Sequence, residues 1–205
     1  MEDGSMQMDP LIGSRSPTFS EDDVNVTPAV DTGESFLPDQ HRIGIFWDME
    51  NVRVPRGFRA AEVNRLIREK LKPLVKAEKI KIAERRLYYD ARKSSEMRTD
   101  REAFDMSGFT LVDCPTRNAK ETLDKKILVD ILVFVAATDP STVPCIVLIS
   151  SDGDYSYCLE RAKDLGAATI VIFGPNTATC LLEAGNLAWN WRHDVLKLSG
   201  GGGGG

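Results

Sequence analysis

The sequence predicts an α/β fold in which helices flank a doubly wound, mostly parallel sheet, and two observations lead to it. Short apolar runs alternate with longer segments of helical periodicity along most of the chain. Two of the runs, residues 42–47 and 146–150, are apolar enough for burial on both faces, which is typical of strands in a parallel sheet. Each run is soon followed by Asp residues, which mark where the chain leaves the core.

The elements follow in order from these patterns. We expect strands over residues 42–47, 82–89, 109–112, 146–150 and 168–173. We expect helices over residues 60–79, 94–106, 122–137, 155–165 and 178–187. Pro73 lies inside the first helical segment and predicts a kink or break there. Gly166 follows the fourth helix, where a glycine readily ends a helix.

Length and composition favour one domain with a tail. The chain has 205 residues, 42% of them hydrophobic, which suffices for one core. Residues 1–40 are rich in Ser, Pro and acids without apolar periodicity, so we expect a disordered acidic tail. The folded domain is expected over residues 41–197. The Gly-rich residues 198–205 are expected to be a linker or a truncation boundary, beyond which further domains or partners stay open.

The net charge of −5 conceals a division along the chain. Residues 1–40 hold nine acids and one base, whereas the remainder carries 25 Lys and Arg residues against 22 Asp and Glu residues. Residues 53–98 alone hold 15 bases against 6 acids, which is the local excess that binding of a phosphate backbone requires. For residues 62–79 a solvated helix face explains the charge equally well.

Cysteine usage and hydropathy indicate a reducing compartment and no membrane anchor. The four Cys residues show no C-x-x-C spacing and only two His residues are present, which argues against a structural zinc site. The N-terminus lacks the features of a secretory signal or a transit peptide. The longest apolar run, residues 127–137, is interrupted by Asp130 and is too short to span a bilayer. We therefore expect a cytoplasmic or nuclear protein.

Acidic residues are expected to converge at one edge of the sheet. Right-handed crossovers bring the carboxyl end of each strand and the start of each following helix to the same edge. The predicted elements place seven acidic or amide side chains there, namely Asp48, Asn51, Asp90, Asp113, Asp124, Asp152 and Asp154, of which Asp113 is expected only to cap or form a turn. Since clustered carboxylates repel one another, a cation is expected among them, and oxygen ligands select Mg²⁺ or Mn²⁺. The alternative is that such acids only cap helices and form turns.

Asp130 is expected to lie away from this edge. It follows Asp124 by six residues, which is about 9 Å along a helix. Lys126 precedes it by four residues, so an ion pair between the two is the simplest expectation, with a helper role at the site as the alternative.

Three segments resemble the NYN domains, which are PIN-like nucleases. These segments are residues 43–52 (IGIFWDMENV), the stretch from Lys120 to Lys125 that opens a helix, and residues 149–155 (ISSDGDY). The resemblance covers about residues 41–192 and is greatest to the limkain type, with the LabA type also similar. It implies a Rossmann-like, PIN-like fold and a metal-dependent endoribonuclease that hydrolyses the phosphodiester bonds of single-stranded RNA.

The resemblance also implies roles for single residues. Asp48, Asp124 and Asp152 match the family's acids and would hold one or two Mg²⁺ or Mn²⁺ ions. Asn51 matches the Asn that follows the first acid and would orient water or a phosphate oxygen. Asp154, as a supporting acid, and Asp130 match the LabA-like pattern only. The spacing from Lys120 to Asp124 departs from the family pattern by about one residue.

The basic stretch after the first strand is expected to bind the substrate. Arg53 and Arg56 would grip the RNA backbone, and an unpaired nucleotide would be stacked or clamped by Tyr88, Tyr89, Arg92 and Lys93. Adjacent tyrosines in a strand face opposite ways, so at least one of the pair is expected in the core. Trp189 and Trp191 are expected to pack rather than to stack on bases.

Two other classes of function stay open. One is a non-catalytic module that binds RNA or acts as a scaffold, because a fold does not by itself establish catalysis. The other is a phosphatase of the haloacid dehalogenase type, which needs a D-x-D pair where this chain has Asp48 and Glu50. The sequence leaves open whether the chain forms a homodimer, which RNA it binds, and whether cleavage is internal.

Overall fold

The computed structural model describes residues 35–76, 79–92, 95–115 and 122–198, and for residues 95–100 it describes the backbone only. Within these ranges six strands form one sheet. The strands are β1 (His41–Asp48), β2 (Ile82–Tyr89), β3 (Thr110–Asp113), β4 (Val143–Ile149), β5 (Ala168–Phe173) and β6 (Leu187–Asn190).

Five α-helices connect or follow these strands. They are α1 (Ala60–Leu71), α2 (Ser95–Met106), α3 (Thr122–Ala136), α4 (Ser156–Asp164) and α5 (Thr179–Ala184). Short turns of 3₁₀ helix cover Lys72–Leu74 and Gly153–Tyr155, and a π-helical turn covers Trp191–Val195. The first 3₁₀ turn contains Pro73, which confirms the predicted break at the end of the first helix.

The sheet is parallel throughout, with the order β3-β2-β1-β4-β5-β6. β1 lies in the middle, and its residues from Ile43 to Asp48 are buried. The chain builds outward from β1 in one direction through β2 and β3, then crosses over and builds the other way through β4. This reversal between β1 and β4 is the position where open α/β sheets bind their ligands.

Helices cover both faces of the sheet and create two apolar cores. On one face α1, α2 and the π-helical turn pack on the sheet. On the other face α3, α4 and α5 pack on the opposite side chains of the same strands. The predicted doubly wound, parallel α/β architecture is thus confirmed.

A close approach between α3 and β1 requires glycine at position 44. A Cβ atom there would lie 2.9 Å from ring atoms of both Phe46 and Phe134. Those two rings pack edge to face, with centroids 5.6 Å apart. α3 therefore packs closely on the central strand β1.

α3 is also the most apolar helix of the described part of the chain. Its inner face is buried, while Val129 and Val133 on the outer face are 58% and 56% exposed. It has 15 residues, and no helix within the described ranges is both long and apolar enough to cross a membrane.

The sheet extends further than the sequence analysis predicted at its C-terminal edge. All five predicted strands are present, with ends shifted by at most a few residues. β6 was missed, because the last helix was expected over residues 178–187 and ends at Ala184. The residues of β6 directly follow a segment of helical character, and pairing with β5 decides their conformation. Trp189 and Trp191 are buried, which confirms that they pack in the core.

The packed chain begins before residue 41, the expected start of the domain. Leu37 is fully buried, and its N–H donates to the carbonyl oxygen of Leu74 at 2.8 Å. Leu37 also forms a parallel bridge with Val75. The segment before β1 is thereby attached to the end of α1.

The cysteines predict a clear chemical test of this packing. Burial raises the pKa of Cys145 to about 12 and the pKa values of Cys114 and Cys158 to about 11, whereas Cys180 is exposed. Because the thiolate is the reactive form, iodoacetamide is expected to alkylate one thiol in the native chain and four after unfolding, counted by mass spectrometry. Cys180→Ser should abolish the native reaction. Rapid alkylation of Cys145 in the folded chain would contradict this packing.

Candidate active site

Asp48 is the last residue of β1 and is fully buried. Its Oδ1 atom accepts hydrogen bonds from the backbone N–H groups of Glu50 at 3.0 Å and Asn51 at 3.2 Å. The carboxylate thus closes the turn that follows the strand. This turn gives a buried charge two donors from the main chain.

The second oxygen of Asp48 receives three side-chain donors. Oδ2 accepts from Nδ2 of Asn51 at 2.6 Å, from the hydroxyl of Tyr155 at 3.2 Å and from Oγ of Ser150 at 3.3 Å. Burial raises the pKa of Asp48, while the bonds from Asn51 lower it and the charge of Asp124 raises it again. Burial prevails, so this carboxyl is more readily protonated than an ordinary Asp.

Asp124 lies in the first turn of α3, half-buried, as the sequence predicted. Its Oδ1 atom accepts the hydroxyl of Tyr155 at 2.8 Å. Burial is the main cause that raises the pKa of Asp124, the bond from Tyr155 lowers it, and the charges of Asp152, Asp154 and Glu50 raise it further. Acids from three parts of the chain therefore act on one another at this edge of the sheet.

The loop after β4 contributes the remaining acids. The N–H of Asp152 donates to Oγ of Ser150 at 3.2 Å, and Oδ1 of Asp152 accepts the N–H of Asp154 at 3.0 Å. Asp152 therefore caps the short turn before α4, as the alternative interpretation of this residue expected. The cap uses only Oδ1 of Asp152, so the other carboxylate oxygen can still bind a ligand. Asp154 is exposed.

Tyr155 is the residue of this site that the sequence analysis did not assign. It is fully buried, and its hydroxyl contacts both Asp48 and Asp124. The sequence carried a weak signal, because an aromatic residue with a polar tip directly follows the acidic loop. Its ring belongs to the core beneath α4, and only the three-dimensional packing shows where the hydroxyl points.

Asp130 forms an ion pair, but not with the expected residue. Its Oδ2 atom lies 2.9 Å from Nη1 of Arg86 and accepts the hydroxyl of Tyr88 at 2.6 Å. Lys126 instead donates to the carbonyl oxygen of Asp113 at 2.8 Å. The expected pair within α3 is therefore wrong, because β2 lies beside that face of the helix and offers a basic side chain.

The expected substrate-binding residues separate into two groups. Arg53 and Arg56 are exposed on the loop that follows Asp48, and Arg92 is exposed after β2. Tyr89 is 1% exposed and packs in the core with Leu87 and Trp47, so its expected stacking on a nucleotide is corrected here. Tyr88 is fully buried as well. Lys93 and Lys120 lie outside the described residues.

Two tryptophans fix the backbone of the loop that carries Arg53. The indole N–H of Trp47 donates to the carbonyl oxygen of Val52 at 2.7 Å. The indole N–H of Trp191 donates to the carbonyl oxygen of Arg53 at 2.9 Å. The two indole rings contact each other, with centroids 5.1 Å apart. The start of the basic loop is therefore held by packed side chains.

The donor chemistry of the site fits a hard divalent cation. Asp48, Asp124, Asp152 and Asp154 offer carboxylate oxygens, which Mg²⁺ and Mn²⁺ prefer over nitrogen or sulfur ligands. The arrangement is less open than the chemistry suggests, because five donor groups lie within hydrogen-bond distance of Asp48. Among the described residues no three His, Cys, Asp or Glu side chains are placed to hold one ion together.

Comparisons with known proteins place this geometry in context. A family model of the NYN domain matches residues 42–187. A crystal structure of a protein of unknown function from Vibrio parahaemolyticus has a similar fold, with a TM-score of 0.59 at 18% sequence identity. The likeness covers 76% of this chain and 96% of that chain, and it concerns the fold alone. No curated protein matches the chain significantly. Neither match separates the limkain type from the LabA type.

The raised pKa of Asp124 predicts a pH-dependent gain in stability for Asp124→Asn. A raised pKa means that the folded state favours the protonated carboxyl, so its stabilising contribution is complete below the unfolded value of about 3.9. That contribution is lost as the pH rises through the raised pKa, whereas Asn stays neutral throughout. In EDTA, the melting temperature of the variant should exceed that of the wild type at pH 7 and approach it near pH 4. A variant that is less stable at pH 7 would contradict the electrostatic account.

Proposed function

Because the chain belongs to the NYN domain family, we propose that it is a metal-dependent endoribonuclease that cleaves single-stranded RNA. The observation that carries this proposal is the convergence of Asp48, Asp124 and Asp152 at the reversal point of a nuclease-like fold. Asp48 and Asp124 both contact the hydroxyl of Tyr155, and the charge of Asp152 raises the pKa of Asp124. Such an arrangement is electrostatically costly, and a divalent cation would relieve it.

The proposed chemistry assigns a task to each group. A bound Mg²⁺ or Mn²⁺ ion would activate water and stabilise the charge that develops at phosphorus. Asp124 and Asp152, which are half-buried, would hold the ion from α3 and from the loop after β4. Asn51 fixes the Asp48 carboxylate through its 2.6 Å bond, and its exposed position lets the amide reach a phosphate oxygen.

The neighbouring surface supports binding of an RNA backbone. Arg53 and Arg56 are exposed within the loop that starts at the acidic site, and Arg59 is exposed just before α1. Since the acids themselves repel phosphate, these cations supply the attraction that brings the backbone to the cleavage position. The fixed backbone at Arg53 favours a defined path over a diffuse one.

One observation favours a second candidate, an RNA-binding module without catalysis. Five donor groups lie within hydrogen-bond distance of Asp48, so the buried carboxylate has hydrogen-bond partners without a metal. RNA binding by the arginine surface alone would be compatible with that state. Cleavage assays separate the two candidates.

Replacement of Asp152 should remove catalysis without unfolding the chain. Asn also caps helices, so Asp152→Asn keeps the turn before α4. Loss of one charged ligand should slow cleavage of end-labelled single-stranded RNA in Mn²⁺ by roughly 100-fold, an estimate based on several kcal/mol of lost charge stabilisation. EDTA should abolish cleavage by the wild type.

Asp164→Asn is the matched control, since Asp164 lies at the exposed end of α4 and pairs only with Arg161 in the described structure. It should cleave like the wild type. Retained RNA binding with no cleavage in any metal would overturn the nuclease and leave the binding module.

The arginine surface should contribute through salt-dependent contacts. Arg53→Gln with Arg56→Gln should weaken RNA binding and reduce the slope of log Kd against log salt by about 1.4, at about 0.7 per phosphate contact on a single strand. Lys72→Gln with Lys76→Gln is a matched control, since both lysines are exposed just after α1, at the opposite edge. Fluorescence anisotropy over a salt series measures both. Equal slopes for the two double variants would place the RNA elsewhere.

A further inference from the structure

The hydroxyl of Tyr155 lies between two carboxylates. It is 2.8 Å from Oδ1 of Asp124 and 3.2 Å from Oδ2 of Asp48. A tyrosine hydroxyl has one proton to donate, so it cannot donate to both carboxylates at once. The shorter distance identifies Asp124 as the better acceptor. We call this arrangement the tyrosine bridge.

The tyrosine bridge uses the oxygens that a cation would need. Oδ1 of Asp48 is engaged by two backbone N–H groups, so Oδ2 is the oxygen that faces Asp124. Oδ2 already accepts from Asn51 and Ser150 in addition to Tyr155. A cation that contacts Asp48 and Asp124 together must therefore compete with the hydroxyl.

The tyrosine ring itself is firmly placed. Tyr155 is fully buried among the side chains of the core below α3, α4 and α5. It ends the short turn that Asp152 caps, directly before α4. The hydroxyl is thereby held at a fixed point on the sheet edge, whereas Asp124 is only half-buried.

We propose that Tyr155 is a positioning residue that holds Asp48 and Asp124 together in the absence of metal and that gives up this contact when a divalent cation binds. The proposal rests on the proposed function in that it concerns the same acidic site. In this proposal Tyr155 lowers the affinity of the site for a divalent cation and takes no part in RNA cleavage itself. The site is then stable while empty, and the loss of the tyrosine bridge opposes metal binding.

Tyr155→Phe tests this directly, because Phe keeps the ring and removes only the hydroxyl. The hydroxyl that competes with a cation between the two carboxylates would then be gone, while Asp48 keeps its bonds from the main chain, Asn51 and Ser150. The full chain with Tyr155→Phe should bind Mn²⁺ about tenfold more tightly than the wild type in calorimetric titrations, as expected for the loss of a competing bond to a charged group. In EDTA the same variant should melt at a lower temperature than the wild type.

Tyr157→Phe is the matched control. Tyr157 lies two residues further along, is 77% exposed and makes no contact with the described acids, so its Mn²⁺ affinity should equal that of the wild type. A merely structural role for Tyr155 would lower or leave unchanged the affinity of Tyr155→Phe for Mn²⁺, and either result would overturn the proposal. Failure of both chains to bind Mn²⁺ would overturn it as well.

A measurement on the wild type covers the case in which Tyr155→Phe does not fold. The chain has four tyrosines, so isotopically labelled tyrosine gives a short list of ring signals in NMR spectra. Titration with diamagnetic Mg²⁺ should shift the Tyr155 signal and leave the Tyr157 signal unchanged. A Tyr155 signal that stays constant while Mg²⁺ binds would overturn the proposal.

RNA cleavage is scored separately from metal binding. If Tyr155→Phe binds Mn²⁺ more tightly and no chain cleaves RNA, the tyrosine bridge stands and the proposed nuclease falls. If the wild type cleaves RNA and Tyr155→Phe binds Mn²⁺ no more tightly, the nuclease stands and the tyrosine bridge falls.

Discussion

The burial of β1 between β2 and β4 is the constraint on which the other features of this protein depend. A strand that is covered on both faces and paired on both edges can carry a polar side chain only where it leaves the sheet. Asp48 stands at that point, and helices on both faces prevent water from reaching it. The loop after it and the segment after β4 must therefore supply hydrogen bonds, and they do so through Asn51, Ser150 and Tyr155.

This constraint explains why the carboxylates at this edge are hydrogen-bonded and yet repel one another. Buried carboxylates are tolerated in proteins when donors surround them, and Asp48 has such donors from both main chain and side chains. Within the described ranges Asp124 accepts a side-chain bond from Tyr155 alone, and its pKa is raised by burial and by other acids as well. Under the proposed function, a divalent cation would have to compete with the donors that stabilise the buried carboxylate of Asp48.

Much of the fold was predictable because it depends on local patterns. Strand-like apolar patterns identified five of the six described strands, and the right-handed crossover rule placed Asp48, Asp124 and Asp152 at one edge. What depended on tertiary contacts was not predictable. β6 depends on its pairing with β5, Asp130 pairs with Arg86 across the helix–sheet interface, and Tyr89 is buried in the core. The role of the Tyr155 hydroxyl required the positions of three elements at once, which no spacing in the sequence encodes.

The tryptophan pair has a consequence for where this domain ends. The family match stops at residue 187, yet Trp191 holds the carbonyl oxygen of Arg53, which lies 138 positions earlier in the chain. A polypeptide cut at the end of the match would lack most of β6, the cover over Trp47 and one of the two supports of the arginine loop. The loop would then keep only the bond from Trp47 to Val52 of these two supports. The packed unit around Trp47 therefore extends beyond the residues that the family model matches.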